Sequence, residues 1–338
     1  MLDKLRRFID PYILLMAATV GLAVVFSARG QYAVVAGAAA NTAIVFLFFL
    51  YGARFSTKTA LDGFRHWRLH AAVLISTFAL FPLLGITIKA ALPGVLQPEL
   101  YSGFLFLCAL PSTVQSSIAF TSIARGNVPA ALCSATASNI LGIFITPALA
   151  GLMLATHGAQ LNTGVLQSIV LQLLVPFIAG QILRRWIGPW VLAQKRILGL
   201  LDRGSILLII YVAFSKGMSD HIWDRITAAD FAALLFALAL LLALIISATR
   251  FVARRLMKLK VEDEIVLVFC GSKKSLASGL PIASVLFVDS QLGMAVLPLM
   301  LFHQLQLIVC AWLARRYGER PISEPTSILS ATPAGAEK

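Results

Sequence analysis

Negative charge is what this sequence has least of: 15 aspartates and glutamates stand against 28 lysines and arginines, and all four types together make up only 13% of 338 residues. A water-soluble domain carries about a quarter charged residues, so this composition excludes an ordinary solvated globule. Cysteine is scarce too. Cys108, Cys133, Cys270 and Cys310 all fall in apolar runs, and they read as small packing residues rather than a disulfide framework or a metal set. There is no HExxH, no GxSxG, no phosphate-binding loop and no acid pair, so the expectation is a protein that is not an enzyme and uses no cofactor or metal. The net charge of +13 points to nucleic acid only until the bases are located. They cluster in short loops between apolar runs, which is a membrane pattern, and no nucleic-acid partner is expected.

What the chain has in abundance is apolar length, 59% hydrophobic overall. A bilayer core of about 30 Å takes roughly 20 apolar residues in a helix. Ten such runs can be drawn, at about 11–28, 32–52, 70–91, 101–122, 128–155, 163–186, 203–218, 228–252, 264–287 and 292–316. The first run follows MLDKLRRFID with no small-residue cleavage pattern and is read as a span, not a signal. Alternate loops then differ sharply in cations. One side collects 21 lysines and arginines, from Lys4 through Arg320, and the other only Arg29, Lys89, Lys216 and Arg225. The positive side is cytoplasmic, so both termini are expected there, in a bacterial inner membrane. Residues 318–338, rich in Pro, Ser and Ala, read as a disordered cytoplasmic tail.

Residues 1–156 and 157–317 each hold five of these spans. An odd number per half makes a repeated unit enter the membrane from opposite sides, the inverted-repeat plan of secondary transporters. The expected fold is therefore all-α and polytopic, ten helices in a 5+5 inverted repeat. The fourth span of each half is interrupted, in ALPSTVQSSIAF (109–120) from Pro111 and in FCGSKKSLASGLP (269–281) from Gly271. Pro111 removes a backbone donor and Gly271 loosens its helix. Backbone freed at membrane depth persists only where it is buried in protein or lines a cavity.

The second interruption holds Lys273 and Lys274, about nine residues into their span, or roughly 14 Å at 1.5 Å per residue. A charge there costs at least about 2.5–3.5 kcal/mol, so it is a functional candidate by default. No carboxylate lies inside a span to compensate; Asp202, Asp230 and Glu264 come nearest, at span ends. The lysines are therefore neutral, or hydrogen-bonded to Ser272, Ser275 and main-chain carbonyls, or paired with a group from outside such as an anionic ligand. Consecutive helical positions point about 100° apart, which predicts one lysine lining a cavity and the other packed away. Ser112, Thr113, Gln115, Ser116 and Ser117 crowd the first break, Asn139 lies in the fifth span beside Ser134, Thr136 and Ser138, and His303 sits with Gln304 and Gln306 in the tenth. Together with Gly271, Ser272, Lys273, Lys274 and Ser275 these are the expected substrate-binding residues. For any one of them the alternative role is interhelical hydrogen bonding.

Several stretches carry a resemblance: FLFFLYGARFSTKTALDGFRHWRLH (46–70), TFALFPLLG (77–85), LPSTVQSSIAFTSIARGNVPAALCSATASN (110–139), CGSKKSLASGLPIASVLF (270–287) and LFHQLQLIV (301–309). Over residues 8–316 the chain resembles the bile acid:sodium symporter superfamily, in its SBF-like branch. The resemblance implies ten helices in a panel and a core domain, with broken fourth and ninth helices crossing at substrate and sodium sites. It also marks a departure. Sodium-coupled members carry a Glu followed by a Gln–Asn pair in the ninth break and a Ser–Asn pair in the fourth, where this chain has Cys270-Gly271-Ser272-Lys273-Lys274-Ser275 and Ser116-Ser117. An ammonium repels Na⁺ by about 4 kcal/mol at 4 Å and an effective dielectric of 20, so the sodium sites are not carried over.

Three classes of function follow. The leading one is an alternating-access carrier of a small or amphipathic organic anion, independent of sodium and either proton-coupled or uncoupled. A transport-inactive membrane sensor is the second, and a Na⁺-coupled bile acid-type symporter remains a variant of the first. The third is a membrane enzyme using a Ser–Lys dyad at Ser272 or Ser275.

Overall fold

The computed structural model describes residues 11–54, 66–155, 167, 170–219, 221, 226–287 and 289–320, and among these its regular structure is all helical, without strands. The expected tail beyond Arg320, and the loop cations Lys4, Arg6, Arg7, Lys58, Arg65 and Arg225, lie outside the described residues. Helix α1 runs Pro11–Val25, α2 Gln31–Arg54, α3 Trp67–Ala91, α4 Pro98–Ala109, α5 Gln115–Ile123 and α6 Val128–Ala155. A π-helical turn, Val170–Leu174, leads into α7 (Val175–Ala193); then follow α8 (Lys195–Ser219), α9 (Ala228–Leu256), α10 (Val261–Gly271), α11 (Leu276–Leu286) and α12 (Asp289–Gly318). Among the described residues, eight stretches are long and apolar enough to cross a membrane. The fourth expected span is two short helices, α4 and α5, of 12 and 9 residues.

Two expected boundaries move substantially. The sixth run, expected to end at 186, continues as α7 to Ala193, and the seventh, expected at 203–218, begins as α8 at Lys195. KRILGLLDR is a good helix former that hydropathy discounts because of its charges. Arg54 Nη1 binds Asp202 Oδ2 at 2.9 Å, and Arg203 lies over the Tyr12 ring, so the charged first turns pack against α1 and α2.

The helices form two packed groups. One contains α1, α2, α7 and α8; the other contains α3 to α6 and α9 to α12. They meet chiefly where α8 rests on α11 and α12. In the first group α2 and α7 approach at Gly52 and Gly180. A Cβ at Gly52 would stand 2.0 Å from the Phe177 carbonyl oxygen, and one at Gly180 2.0 Å from that of Phe49. Such reciprocal backbone approach is how helices associate where lipid removes the hydrophobic drive between them. Gly52→Leu is therefore expected to destabilise the protein by at least about 2 kcal/mol. Gly21→Leu, with nothing within 4 Å of its added Cβ, is the control, both read by thermal denaturation in nanodiscs.

Candidate functional site

The site is best built from the backbone groups that the first break releases. Pro111 has no N–H for the Leu107 carbonyl, which accepts from Leu110 N instead. Ser112 N–H leaves the helix and donates to Ser138 Oγ at 3.0 Å. Five further carbonyls then need partners, and each finds one by tertiary contact. Thr146 Oγ1 donates to Ala109 O at 2.9 Å, Ser275 N to Pro111 O at 2.8 Å, and Asn139 Nδ2 to Ser112 O at 2.6 Å. The remaining two, Cys108 O and Leu110 O, accept from the Lys274 amine at 2.8 and 2.7 Å.

The same amine donates to a third carbonyl, Thr77 O, at 2.8 Å. That oxygen is free for a local reason. Helix α3 widens into a π turn at Ser76–Leu80, where Phe81 N–H reaches back to Ser76 O, and the next residue, Pro82, has no N–H to offer. Lys274 Nζ also stands 4.1 Å from the centre of the Phe81 ring. Three carbonyl acceptors match the three N–H donors that an ammonium has and a neutral amine lacks.

The second break answers the first. Ser112 Oγ donates to Cys270 O at 2.6 Å and Ser117 Oγ to Phe269 O at 3.1 Å. Gln306 grips Lys274 through both main-chain groups, its Oε1 accepting from Lys274 N at 2.8 Å and its Nε2 donating to Lys274 O at 2.9 Å. Ser275 caps α11 by accepting from Ser278 N. Ser278 Oγ in turn donates to Asn139 Oδ1 at 2.7 Å.

Lys273 goes elsewhere. Its Nζ makes a 3.3 Å hydrogen bond to Ser116 Oγ and faces two rings, Phe120 at 4.3 Å and Phe269 at 5.6 Å. Both lysines are 0% exposed, so exposure does not single out one as cavity-lining and the other as packed. The expected division assumed helical spacing, whereas residues 272–275 form the irregular stretch between α10 and α11. The deciding difference is partner strength: Lys274 holds backbone, Lys273 holds one hydroxyl and aromatic faces.

The other expected residues are distributed as follows. Thr113 Oγ1 lies 2.8 Å from Ser116 Oγ and 3.1 Å from Ser117 Oγ, joining the group around Lys273. Gln115 is exposed on the first turn of α5. His303 Nδ1 is 3.0 Å from Gln306 Nε2, one step removed from the lysines. Gly271 ends α10, and Ser272 Oγ donates back to Val268 O at 2.6 Å. Neither Ser272 nor Ser275 bonds a lysine amine, so the Ser–Lys dyad considered from sequence is not assembled. Glu264, in the first turn of α10, is buried but engaged by Arg254 and Tyr317. Sequence reading missed Thr77, Thr146, Ser278 and the three phenylalanines; only Thr77 had a local signal, Pro82 in TFALFP.

Apolar helices interrupted at two places, with the interruptions hydrogen-bonded to each other inside the bundle, define an integral multi-pass membrane protein. Comparison with known proteins gives the family. Residues 10–319 match the SBF-like CPA transporter family. An uncharacterised protein of Pseudomonas aeruginosa is 54% identical over 316 residues, 93% of this chain and 95% of that one. YfeH of Escherichia coli (strain K12), which bears the name of a symporter, is 49% identical over 314 residues, covering 93% and 94%. Sodium/bile acid cotransporter 7 of Rattus norvegicus is 24% identical over 294 residues, covering 84% and 86%. The chain belongs to the SBF-like CPA transporter family and is a membrane transporter of the symporter type.

Proposed function

We propose that this protein is a sodium-independent secondary carrier of a small or amphipathic organic anion, in which the Lys274 ammonium stands in for a bound sodium ion. The observation that carries the reading is the ring of three main-chain carbonyls at 2.7–2.8 Å around Lys274 Nζ. Freed carbonyls at broken membrane helices are the ligands a transporter uses for a monovalent cation. Here the cation is covalently attached and cannot be released to drive transport. Lys273, held by one hydroxyl and two rings, is the second positive charge and is offered to the anion, with Ser116, Thr113 and Ser117 beside it. Protons are the coupling ion that remains available.

The architecture assigned to this carrier has ten spans in two inverted repeats, 1–156 and 157–317, with both termini cytoplasmic in a bacterial inner membrane. The composition of the packed groups supports it: α1 and α2 from the first half join α7 and α8 from the second. Alternating access then moves this group against the one that contains both breaks.

The printed names of the cotransporter 7 relatives favour a second reading, a Na⁺-coupled symporter. Thermal denaturation in NaCl against choline chloride separates the two. Occupation of a sodium site at about 100 times its Kd stabilises by about 2.7 kcal/mol. The expected result is an identical midpoint in both salts, and a saturable Na⁺-specific rise overturns sodium independence. Counterflow of a stabilising anion in proteoliposomes tests transport against a transport-inactive sensor.

A further inference from the structure

Far from the breaks, an ion pair at the end of α2 is only half made. Arg54 Nη1 donates to Asp202 Oδ2 at 2.9 Å, but Arg54 Nε, Arg54 Nη2 and Asp202 Oδ1 are buried and have no hydrogen-bond partner. Among the described residues six buried side-chain polar atoms are in that state, and this one pair supplies three of them. An unmet charged group costs more than an unmet neutral one, so both sides of the pair call for a partner. Nε–H and Nη2–H lie along one edge of the planar guanidinium, the geometry that grips phosphate or carboxylate with two parallel bonds. Asp202 Oδ1, beside it, only accepts. The pair has no net charge, and a bare anion drawn to Arg54 is repelled by Asp202. What satisfies both is a zwitterion, an anionic group for the guanidinium edge with an N–H cation close behind it for the carboxylate.

The surroundings put this pair at the height of lipid headgroups. Ala53 and Leu198, one position and one turn away from it in sequence, join Leu50 and Val191 in an apolar cluster of α2, α7 and α8. Next to Val191, Trp190 is 64% exposed, and Trp186 one turn earlier is 69% exposed. Tryptophans on the outside of membrane helices gather at the water interface, and Arg184 and Arg185 in the same stretch mark the cation-rich side. The side chains of Arg54 and Asp202 keep 25% and 21% exposure, so a headgroup reaches them from outside. We propose that Arg54 and Asp202 form a binding site for a phosphoethanolamine headgroup, the phosphate on Arg54 Nε and Nη2 and the ammonium on Asp202 Oδ1. A lipid and a soluble phosphoethanolamine share this chemistry. The lipid is favoured because Ile197 and Leu200, on α8 beside Asp202, are exposed as the tryptophans are, an apolar face for acyl chains to cover. The headgroup completes the contact between α2 and α8, and its binding is independent of what the protein carries.

The test uses the full chain in dodecyl maltoside micelles titrated with dioleoyl phosphatidylethanolamine, phosphatidylcholine or phosphatidylglycerol, read by shift of the denaturation midpoint. Phosphatidylcholine keeps the phosphate and has methyl groups in place of every N–H; phosphatidylglycerol keeps the phosphate and has no cation. The expected result is saturable stabilisation by phosphatidylethanolamine, with an affinity at least tenfold above that of either other lipid. Arg54→Lys, which keeps the charge and loses the paired donors of the guanidinium edge, is expected to bind phosphatidylethanolamine at least tenfold more weakly. Asp202→Asn is expected to level phosphatidylethanolamine with phosphatidylcholine. Arg255→Gln, a cation of the same side at the end of α9, is expected to bind as the parent does. If a variant does not fold, the three lipids on the unaltered protein decide. Equal affinity for the three lipids, or unchanged selectivity in both variants, overturns the proposal. Water-soluble glycerophosphoethanolamine separates the two sources: it is expected to compete at least a hundredfold more weakly than the lipid, and equal potency overturns the assignment to lipid.

Discussion

Lys274→Met is expected to cost the protein at least about 3 kcal/mol, seen as a marked drop in denaturation midpoint in nanodiscs. The substitution keeps the volume and removes three donors at once. Cys108 and Thr77 then present carbonyls with no helical N–H to return to, because Pro111 and Pro82 lack one and Ser112 N–H is committed to Ser138, and Leu110 O belongs to an extended residue past the end of α4. Each unmet buried acceptor costs about 1–3 kcal/mol, and lipid supplies no water to substitute. A sharper form uses Lys274→Ala, which leaves space beside the same oxygens. Methylammonium is expected to restore much of the lost stability, and methanol, its uncharged analogue, is not. A Lys274→Met protein that melts with the parent would show that the carbonyl ring has no need of a cation and would remove the physical basis of the substitution for sodium.

Lys273→Met is expected to do the opposite, leaving the fold nearly intact while reducing anion counterflow at least a hundredfold. Its amine can be lost without orphaning a partner, since Ser116 Oγ keeps Thr113 Oγ1 at 2.8 Å. What disappears structurally is one 3.3 Å hydrogen bond and contact with the Phe120 and Phe269 faces, together about 1–2 kcal/mol. What disappears for an anion is a positive charge worth about 4 kcal/mol at 4 Å and an effective dielectric of 20, close to a thousandfold in affinity. Lys273→Arg is expected to retain part of the activity. Wild-type counterflow in Lys273→Met would make this lysine a packing element only. Measured side by side, the two variants separate a charge that holds backbone from the charge proposed to meet cargo, which sequence adjacency had merged.

The acids that open α10 pair with groups other than the lysines. Glu262, Asp263 and Glu264 open α10 and each leads to a different neighbour: Arg320 at 2.9 Å, Asn127 at 2.9 Å and Arg254 at 2.8 Å. Acids in a first helical turn are favourable there on their own account. They tie the start of α10 to the loop before α6 and to the ends of α9 and α12, and Arg320 also holds the carbonyls of Ala124 and Arg125.

Composition alone determined that this chain lives in lipid, because a burial pattern with so few charges has no other stable solvent. Local chemistry determined where helices stop: a proline at 111 cannot supply an N–H, and a glycine at 271 weakens a helix wherever it sits. The lysines were visible as expensive, and the absence of a matching acid was visible beside them. Tertiary structure decided everything that depends on distance across the chain. It alone chose which carbonyls meet Lys274, recruiting Thr77 from almost two hundred positions away, and sent Lys273 to a hydroxyl and two rings. The physical reason is that an unpaired backbone group announces a need but not a partner; the partner is whichever donor the packing of separate helices brings within about 3 Å.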